Sequence, residues 1–498
     1  MPPAVLKAWP GWLLLAVVAT VGVVCMPRDM YPGDPMAMRE ETRAILLRGE
    51  LAVSEVVVRE YASSDPGQYI VDNPRNGRSY SKYGSMAAWF YLLPMGIERL
   101  IEGGLPPFSS PRRVVYLNIF NVLLSLLVAA SLFRTAQRFG AAPWLAATYV
   151  GLCFYTTFLW NYLRVQNSDI MQLLMFAWAV TAFLDVLEAR QERGGSWNSV
   201  IRLWLACGAL LLTKIAYLLV GPLFAVGLLM DRKTRVGGSW LAAFVAETKV
   251  HVVPASVVVG LWLGLNALKF SSPWLTGYHV WRPEFHGFTG DPFDALYHLL
   301  FTAQWGLGFC FPVLLLALPF IGRWCRQDPV RYGTLLGIGV TYLLVFAMLP
   351  CWRGEMCYGP RYWLFVLPFV ALPAVDAIAS LASGTRTARI ALVLVGAGLL
   401  YSTALQWQVN KYSFLAFYSL RGPLEQNAGI TAAHYFAHHS YGRVLWDCSR
   451  AQDQLTNLAW WKETRPLLSP EAAEAYEKHV RSVLKEQNFF WLQKQPRK

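Results

Sequence analysis

The stretch VVYLNIFNVLLSLLVAASLF, from Val114 to Phe133, carries no charged residue and is long enough to cross a membrane. An uninterrupted apolar run of about 18 or more residues is typical of a transmembrane helix. Several similar runs occur along the 498 residues, of which 55% are hydrophobic and only 15% are charged. Soluble domains carry about a quarter charged residues. The sequence therefore predicts an all-α polytopic membrane protein.

Short basic loops set the predicted orientation of the spans, because cytoplasmic loops carry an excess of lysine and arginine. With the N-terminus, the loops placed inside are 134–138, 190–202, 232–235, 323–331 and 386–389. Crossings are then predicted over 9–26, 114–133, 143–160, 170–187, 250–267, 304–322, 333–350, 362–382 and 390–408. Residues 203–230 lie between two basic loops and are too long for one crossing. We expect two short or broken helices there, turning near Lys214 to Pro222, which makes about eleven spans.

Two segments lie outside the membrane in this topology. Residues 27–113 form a large external loop, in which the short apolar stretch Met86 to Ile101 is predicted to be a juxtamembrane helix lying against the bilayer. Residues 1–410 form the predicted transmembrane domain. Residues 411–498 are more polar, show a helical pattern over Pro470 to Gln487, and are predicted to form a small external C-terminal domain.

The net charge of +13 does not indicate nucleic-acid binding, because much of it follows the topology bias of the short loops. The remaining external cations could contact membrane lipid headgroups or a phosphate. Cys351 and Cys357 share one short loop, where a disulfide could form on an oxidising face. Four other cysteines lie in apolar runs and are predicted core residues: Cys25, Cys153, Cys207 and Cys310.

Carboxylates follow or open predicted spans on the external side. Asp34 stands in Tyr31-Pro-Gly-Asp-Pro, and Glu41 lies seven residues later on the same face of a predicted helix. Asp169 opens the fourth span, a few residues after Arg164. Each acid could serve as a general base, or could instead complement a helix dipole or cap a helix. Arg164 could be an ordinary interface anchor.

Cations occur at unusual places on the same side. Lys214 lies inside the apolar run Leu210 to Val220, where a lysine at mid-membrane costs about 2.5–3.5 kcal/mol and needs an anion, a wet cavity or a route to the interface. Lys82 precedes the juxtamembrane helix, and Arg353 and Arg361 lie between two spans. Arginine forks bind phosphate oxygens well, although some external arginines could be interface anchors.

In their order along residues 9–410, these elements resemble those of integral membrane glycosyltransferases of the GT-C fold. The resemblance is to bacterial relatives of the protein O-mannosyltransferases and of the lipid A aminoarabinose transferase. The matching elements are Gly33-Asp34, Ser81-Lys82-Tyr83-Gly84, Tyr162 to Asp169, Leu212-Thr213-Lys214, Trp305 to Pro312 and Tyr358 to Tyr362.

The resemblance implies a polyprenyl-phosphate sugar donor, an inverting transfer, and an active site on the periplasmic or extracellular side of the cell membrane. It implies catalytic roles for Asp34 and Asp169. The donor phosphate would be bound by Lys82, Lys214 and Arg361, with Arg353 as a further candidate. Residues that would bind the acceptor or support the site are Glu41, Arg164 and Tyr358.

Several points stay open at this stage. Pro35 stands where family members often carry a second acid. The sequence therefore leaves open whether the protein uses a divalent metal, and we predict no metal ligand. The acceptor could be a glycolipid, a polysaccharide or a protein. One other function is a lipid or sugar transporter, although no internal repeat is visible and charges avoid most spans. Another is a polymerase or ligase that uses a lipid-linked oligosaccharide.

Overall fold

The computed structural model describes residues 3–27, 34–54, 69–105, 111–192, 197–237, 239–281, 287–350, 352–353, 357–427, 435–436, 438–451, 455–485 and 487–489. The first helices in chain order are α1 Pro3–Val24, α2 Asp34–Arg48, α3 Met86–Glu102, α4 Pro111–Arg138, α5 Pro143–Tyr155, α6 Leu159–Arg164, α7 Asp169–Glu192 and α8 Trp197–Thr213. The next are α9 Val220–Val236, α10 Trp240–Phe270, α11 Gly277–Trp281, α12 Pro292–Phe301, α13 Leu307–Cys310, α14 Val313–Gln327 and α15 Arg331–Ala347. The last are α16 Leu367–Val370, α17 Ala374–Leu381, α18 Arg386–Tyr412, α19 Phe414–Asn427, α20 Tyr441–Arg450, α21 Ala459–Thr464 and α22 Pro470–Lys485.

The predicted all-α membrane fold is confirmed. Within the described residues, five helices are long and apolar enough to cross a membrane: Val114–Arg138, Asp169–Gln191, Ile215–Arg235, Trp240–Phe270 and Arg386–Tyr412. Helix α7 lies at the centre of the bundle, because most of its apolar stretch is buried, whereas almost none of the apolar stretch of α18 is fully buried. An apolar helix with so little of its surface buried in protein needs lipid around it. The chain is a multi-pass membrane protein.

The predicted break within 203–230 is present. Helix α8 ends at Thr213, and Lys214 has an extended backbone with φ of −151° and ψ of 136°. A 3-10 turn over Ile215–Leu219 leads into α9, whose first turn contains Pro222. Proline is tolerated in a first turn because the N–H that it lacks would be unpaired there. The break leaves Lys214 between two membrane helices.

Three predicted spans are not continuous helices. The span 143–160 is divided between α5 and α6, and the span 304–322 contains the short helix α13 before α14 begins at Val313. The third is 362–382. Residues 362–382 form a 3-10 turn over Arg361–Trp363 and then the short helices α16 and α17. Pro368 and Pro373 interrupt the run, since proline lacks the N–H of a helical hydrogen bond and clashes with the preceding turn. This irregular stretch is nevertheless almost fully buried, which is where a membrane protein tolerates it.

The first external loop contains two packed helices and one hairpin. Helix α2 contacts α3, and the hydroxyl of Thr42 donates to the carbonyl of Ala88 at 2.9 Å. Two strands that we did not predict, β1 Ile70–Asp72 and β2 Ser79–Ser81, pair antiparallel. The predicted juxtamembrane helix is α3, whose exposed side chains form an apolar row: Leu93, Ile97, Leu100 and Ile101. This row suits a helix that lies on a bilayer.

The C-terminal helices pack against α18 and against one another. The predicted helix over Pro470 to Gln487 is α22, whose Tyr476 ring stacks on Trp461 at 5.1 Å between ring centres. The hydroxyl of Tyr476 donates to the carbonyl of Leu420 at 3.0 Å. Cys357 is a free, buried thiol, and its suggested partner Cys351 lies outside the described residues.

Candidate active site

Asp34 begins α2, and two residues from distant parts of the chain hold its carboxylate. The Nη2 of Arg361 lies 2.9 Å from Oδ2, and the hydroxyl of Tyr83 donates a hydrogen bond to Oδ1. Burial by itself would raise the pKa of Asp34, but three cations and the Tyr83 hydrogen bond outweigh it and lower the pKa to about 2. The three cations are Arg361, Lys214 and Lys82. Asp34 is therefore an anion at neutral pH.

A tight turn presents Arg361 to Asp34. Gly359 has a φ of +62°, which glycine adopts readily, and a Cβ there would lie 3.0 Å from the ring of Phe158. The backbone N–H of Arg361 donates to the carbonyl of Gly359 at 2.9 Å. The Nε of Arg361 is buried and has no hydrogen-bond partner among the described residues. The guanidinium can therefore donate to a further anion.

Lys214 is buried at the break between α8 and α9, with 5% of the residue's surface exposed. Its Nζ lies 5.7 Å from the centre of the Tyr362 ring. Two carboxylates, Asp169 and Asp34, act on its charge. A lysine at this depth is costly unless anions or water compensate it. The two acids offset part of that cost, against the opposing charge of Arg361, and place Lys214 in the same cluster as Asp34.

Four aromatic rings surround the ammonium of Lys82. Its Nζ lies 3.4 Å from the centre of the Trp281 ring, and the centres of three tyrosine rings follow at 5.3 to 5.6 Å: Tyr69, Tyr83 and Tyr278. Such contacts stabilise a cation through the negative faces of the rings. They add no negative charge, so they leave the positive field around Asp34 in place.

Two close backbone approaches fix the loop that carries Lys82. The N–H of Gly84 donates to the carbonyl of Thr213 at 3.2 Å. A Cβ on Gly84 would lie 1.9 Å from the carbonyl oxygen of Leu212, and one on Gly277 would lie 2.3 Å from the backbone of Lys82. Only glycine fits at both positions. The loop is therefore pressed between the end of α8 and the start of α11.

Asp169 begins α7 and also belongs to the cluster. Its backbone N–H donates to Oδ1 of Asn167 at 2.9 Å, and its side chain is buried. Its charge acts on both Lys214 and Arg361. The structure thus brings together the charged residues at positions 34, 82, 169, 214 and 361, and their catalytic and phosphate-binding roles stay predictions.

A cleft lies between the Lys82 loop and the helices α8 and α10. It is narrow, with about 30 Å³ of space for water-sized molecules, and it is partly open to solvent. Three lysines line it: Lys82, Lys214 and Lys269. Much of the remaining wall is apolar and includes Leu211, Leu212, Ile215, Trp262 and Leu265. A site with converging cations on an apolar wall suits an amphipathic anion.

Two of the predicted supporting residues hold the scaffold. Arg164 is buried and donates to three carbonyls, those of Cys25 at 2.7 Å and of Asn410 and Asn488 at 2.6 Å each. The hydroxyl of Tyr358 donates to Oε1 of Gln406 at 2.6 Å. Arg164 therefore joins the ends of α1 and α18 to the C-terminal segment.

Arg353 and Glu41 have other partners. The side chain of Arg353 is 51% exposed and lies 3.6 Å from Asp294 of α12, so the structure directs this predicted phosphate ligand to the surface. Glu41 is buried and pairs with Lys269 at 3.0 Å. Sequence reasoning missed the roles of Tyr83 and Lys269. The signal for Lys269 was a lysine at the end of an apolar run, as for Lys214.

Among the described residues, no group of three histidine, cysteine, aspartate or glutamate side chains is arranged to hold a metal ion. The carboxylate at the centre of the cluster, Asp34, already contacts Arg361 and Tyr83.

No protein-family model and no curated protein matches the chain. Among solved structures, the chain is similar to ArnT from Cupriavidus metallidurans bound to undecaprenyl phosphate, at 15% identity and a TM-score of 0.52, over 95% of this chain and 76% of that one. The archaeal oligosaccharyltransferase AglB from Archaeoglobus fulgidus, in complex with an inhibitory peptide and a dolichol-phosphate, is 10% identical over 95% of this chain and 60% of that one, with a TM-score of 0.49. The similarity to ArnT establishes a shared fold, and the chain has the GT-C fold.

Proposed function

We propose that this protein is a glycosyltransferase that moves a sugar from a polyprenyl-phosphate donor to an acceptor at the outer face of the cell membrane. The observation that carries the proposal is the cluster of Lys82, Lys214 and Arg361 around Asp34, next to an apolar cleft. A polyprenyl phosphate combines a long apolar chain with a compact anion. The cleft offers an apolar wall for the chain and cations for the anion. ArnT from Cupriavidus metallidurans, which shares the fold, binds such a lipid, undecaprenyl phosphate.

The donor phosphate would contact Lys82 and Lys214 of the cleft and the Nε of Arg361, which has no hydrogen-bond partner among the described residues. Charge-assisted hydrogen bonds from arginine and lysine are the strong way to bind phosphate. In the transfer, the bond between the anomeric carbon and the phosphate oxygen breaks, and the phosphate leaves with the electron pair. Cations already in place stabilise that charge as it develops, which is usually the largest catalytic contribution.

The acceptor would attack the anomeric carbon from the side opposite the phosphate, which inverts its configuration. Its proton would go to a carboxylate, and Asp34 is our candidate, with Asp169 assisting at the acceptor or donor ring. With Arg361 and Tyr83 bound to it, Asp34 is a weak base, because its pKa is about 2. A donor phosphate that draws Arg361 toward itself would remove part of the positive charge that keeps the pKa of Asp34 low. Asp34 would then become a stronger base only when the donor is bound.

The test uses the purified full-length protein in liposomes with a panel of radiolabelled undecaprenyl-phosphate sugars, each offered with glycolipid, polysaccharide or protein acceptors. Thin-layer chromatography would follow consumption of the donor. We expect the wild type to consume at least one donor, and Asp34→Asn to reduce transfer by about 10²–10⁴-fold, as loss of a general base does. Membrane insertion and binding of undecaprenyl phosphate should persist in this variant.

Two results would contradict the proposal. Transfer at the wild-type rate by Asp34→Ala would show that another group is the base. Movement of labelled lipid across the liposome bilayer without any consumption of donor would instead indicate a transporter. An oligosaccharide panel on undecaprenyl diphosphate, run in parallel, would identify a polymerase or ligase.

A further inference from the structure

We propose that Lys269 and Glu41 form a positioning pair that sets the geometry between Tyr83 and Asp34 and the place of the Lys82 loop, without touching the donor. This inference rests on the proposed function and adds residues to it. Lys269 lines the cleft, which at first suggests a third phosphate ligand. Its contacts indicate a different role.

The ammonium of Lys269 is committed to the protein. Only 2% of the side chain is exposed. Its Nζ lies 3.0 Å from Oε2 of Glu41, 2.8 Å from the carbonyl oxygen of Tyr83 and 3.5 Å from Oγ of Ser85. An ammonium has three N–H donors, and these three acceptors can use all of them. Lys269 therefore stabilises the wall of the cleft and leaves phosphate binding to its neighbours.

Glu41 links Lys269 to α2, the helix that also carries Asp34. Its side chain is 1% exposed, and its Oε1 accepts a hydrogen bond of 2.5 Å from the hydroxyl of Ser85. Glu41 lies on α2, seven residues and about two turns after Asp34. Because a helix of this length is rigid, the pair holds α2 against the end of α10 and so fixes where Asp34 stands.

Lys269 also fixes the position of Tyr83. Lys269 holds its carbonyl, while its hydroxyl donates to Asp34. The next residue, Gly84, is hydrogen-bonded to the end of α8. Lys82 directly precedes this fixed point. A shift of the loop away from Lys269 would therefore move the Tyr83 hydroxyl off Asp34 and displace Lys82 at the same time.

The ion pair between Lys269 and Glu41 fixes the arrangement of the groups around it more than it stabilises the fold. A buried ion pair often contributes no more to stability than apolar residues of similar volume, because both charges lose their hydration. A fully bonded polar network does specify one arrangement of the groups around it. Replacing both charges should thus leave a folded protein whose site geometry is loosened.

The experiment compares three variants of the full-length protein. Glu41→Gln with Lys269→Met removes both charges, and Lys269→Arg keeps the cation. The control is Arg190→Met with Glu247→Gln, a partly buried ion pair at 2.6 Å within a larger charged network. It lies toward the other end of α10, about 30 Å from Lys269 along the helix axis. Arg190 and Glu247 have no part in the proposed site.

Three quantities are measured on each variant. Native mass spectrometry gives the affinity for undecaprenyl phosphate, and differential scanning fluorimetry gives Tm. Carbodiimide labelling of Asp34, followed by peptide mass spectrometry, reports how readily that carboxyl is protonated and needs no donor. A purely structural role would change Tm alone.

We expect the Glu41→Gln, Lys269→Met variant to bind undecaprenyl phosphate at least tenfold more weakly and to label at Asp34 at least fivefold faster. Lys269→Arg should stay within threefold of the wild type in both. The control should lose Tm and keep both values. A folded double variant with unchanged affinity and labelling would overturn the proposal, as would equal losses in the control.

Two further outcomes are also decisive. If the double variant does not fold, Ser85→Ala removes the hydroxyl that donates to Glu41 and accepts from Lys269, and it leaves the ion pair itself in place. It should give a smaller change in the same direction, and unchanged Asp34 labelling in it would refute the positioning role. If the wild type does not bind undecaprenyl phosphate, the proposed function fails, while Asp34 labelling still decides the role of Lys269.

Discussion

Replacing Arg361 by glutamine should make Asp34 measurably easier to protonate. In the native protein, Arg361 contacts Asp34 at 2.9 Å between Nη2 and Oδ2 and is the strongest of the cations that lower its pKa. Glutamine keeps much of the side-chain length and can still donate a hydrogen bond, but it carries no charge. The substitution therefore tests the charge of Arg361 separately from its volume.

The size of the effect follows from the pKa of Asp34, which the cluster lowers from its ordinary value of 3.8 to about 2. Without Arg361, burial acts with less opposition, so we expect the pKa to return to about 3.8 or above. At pH 5 the protonated fraction then rises by about 10^1.8, or roughly 60-fold. The same difference corresponds to about 2 kcal/mol. Because the folded pKa is depressed, this stabilisation is complete above the unfolded pKa and is lost as the pH falls toward 2.

Carbodiimide labelling at pH 5 with glycine amide as the nucleophile measures this directly, since the reagent couples to the protonated carboxyl. The exposed Glu474 in the same digest corrects for reagent and digestion. Arg353→Gln is the matched control, because it removes another arginine nearby in sequence whose partner is Asp294. We expect about 60-fold faster labelling of Asp34 in Arg361→Gln and no change in the control. Labelling within threefold of the wild type would refute the inferred electrostatics of the cluster.

Two other perturbations test the scaffold of the site. Gly84→Ala would place a Cβ 1.9 Å from the carbonyl of Leu212, so the Lys82 loop must move and the affinity for undecaprenyl phosphate should fall at least tenfold, as measured by native mass spectrometry. Gly96→Ala, where a Cβ meets nothing within 4 Å, is its control, and equal affinities in the two variants would contradict this reasoning. Removing residues 487–498 takes away the Asn488 carbonyl that Arg164 binds at 2.6 Å and should destabilise the protein by about 1–3 kcal/mol, seen as a lower Tm. Removing only 490–498 spares that contact, and the same Tm in both truncations would show that the segment does not stabilise the bundle.

Much of the architecture could be predicted from local sequence. Apolar length gave the positions of α4, α7, α10 and α18, because a membrane requires long apolar helices wherever they occur. The break at Lys214 could be predicted from a conflict between length and flanking charge. The failure at 362–382 has a local cause as well, since Pro368 and Pro373 were visible in the sequence. Hydropathy alone predicts one helix over this stretch. The irregular backbone is tolerated there because the stretch is buried within the protein.

The sequence by itself determined that this chain lies in a membrane and where most of its long apolar helices fall, because hydropathy is a property of each segment alone. It also marked Asp34, Lys82, Asp169, Lys214 and Arg361 as unusual, since charges beside or within apolar runs are costly wherever they stand. Only the tertiary structure decided which charge neutralises which. Arg361 pairs with Asp34 across more than three hundred residues, and Lys269 with Glu41 across more than two hundred. Such pairings depend on distances between helices that no local pattern encodes.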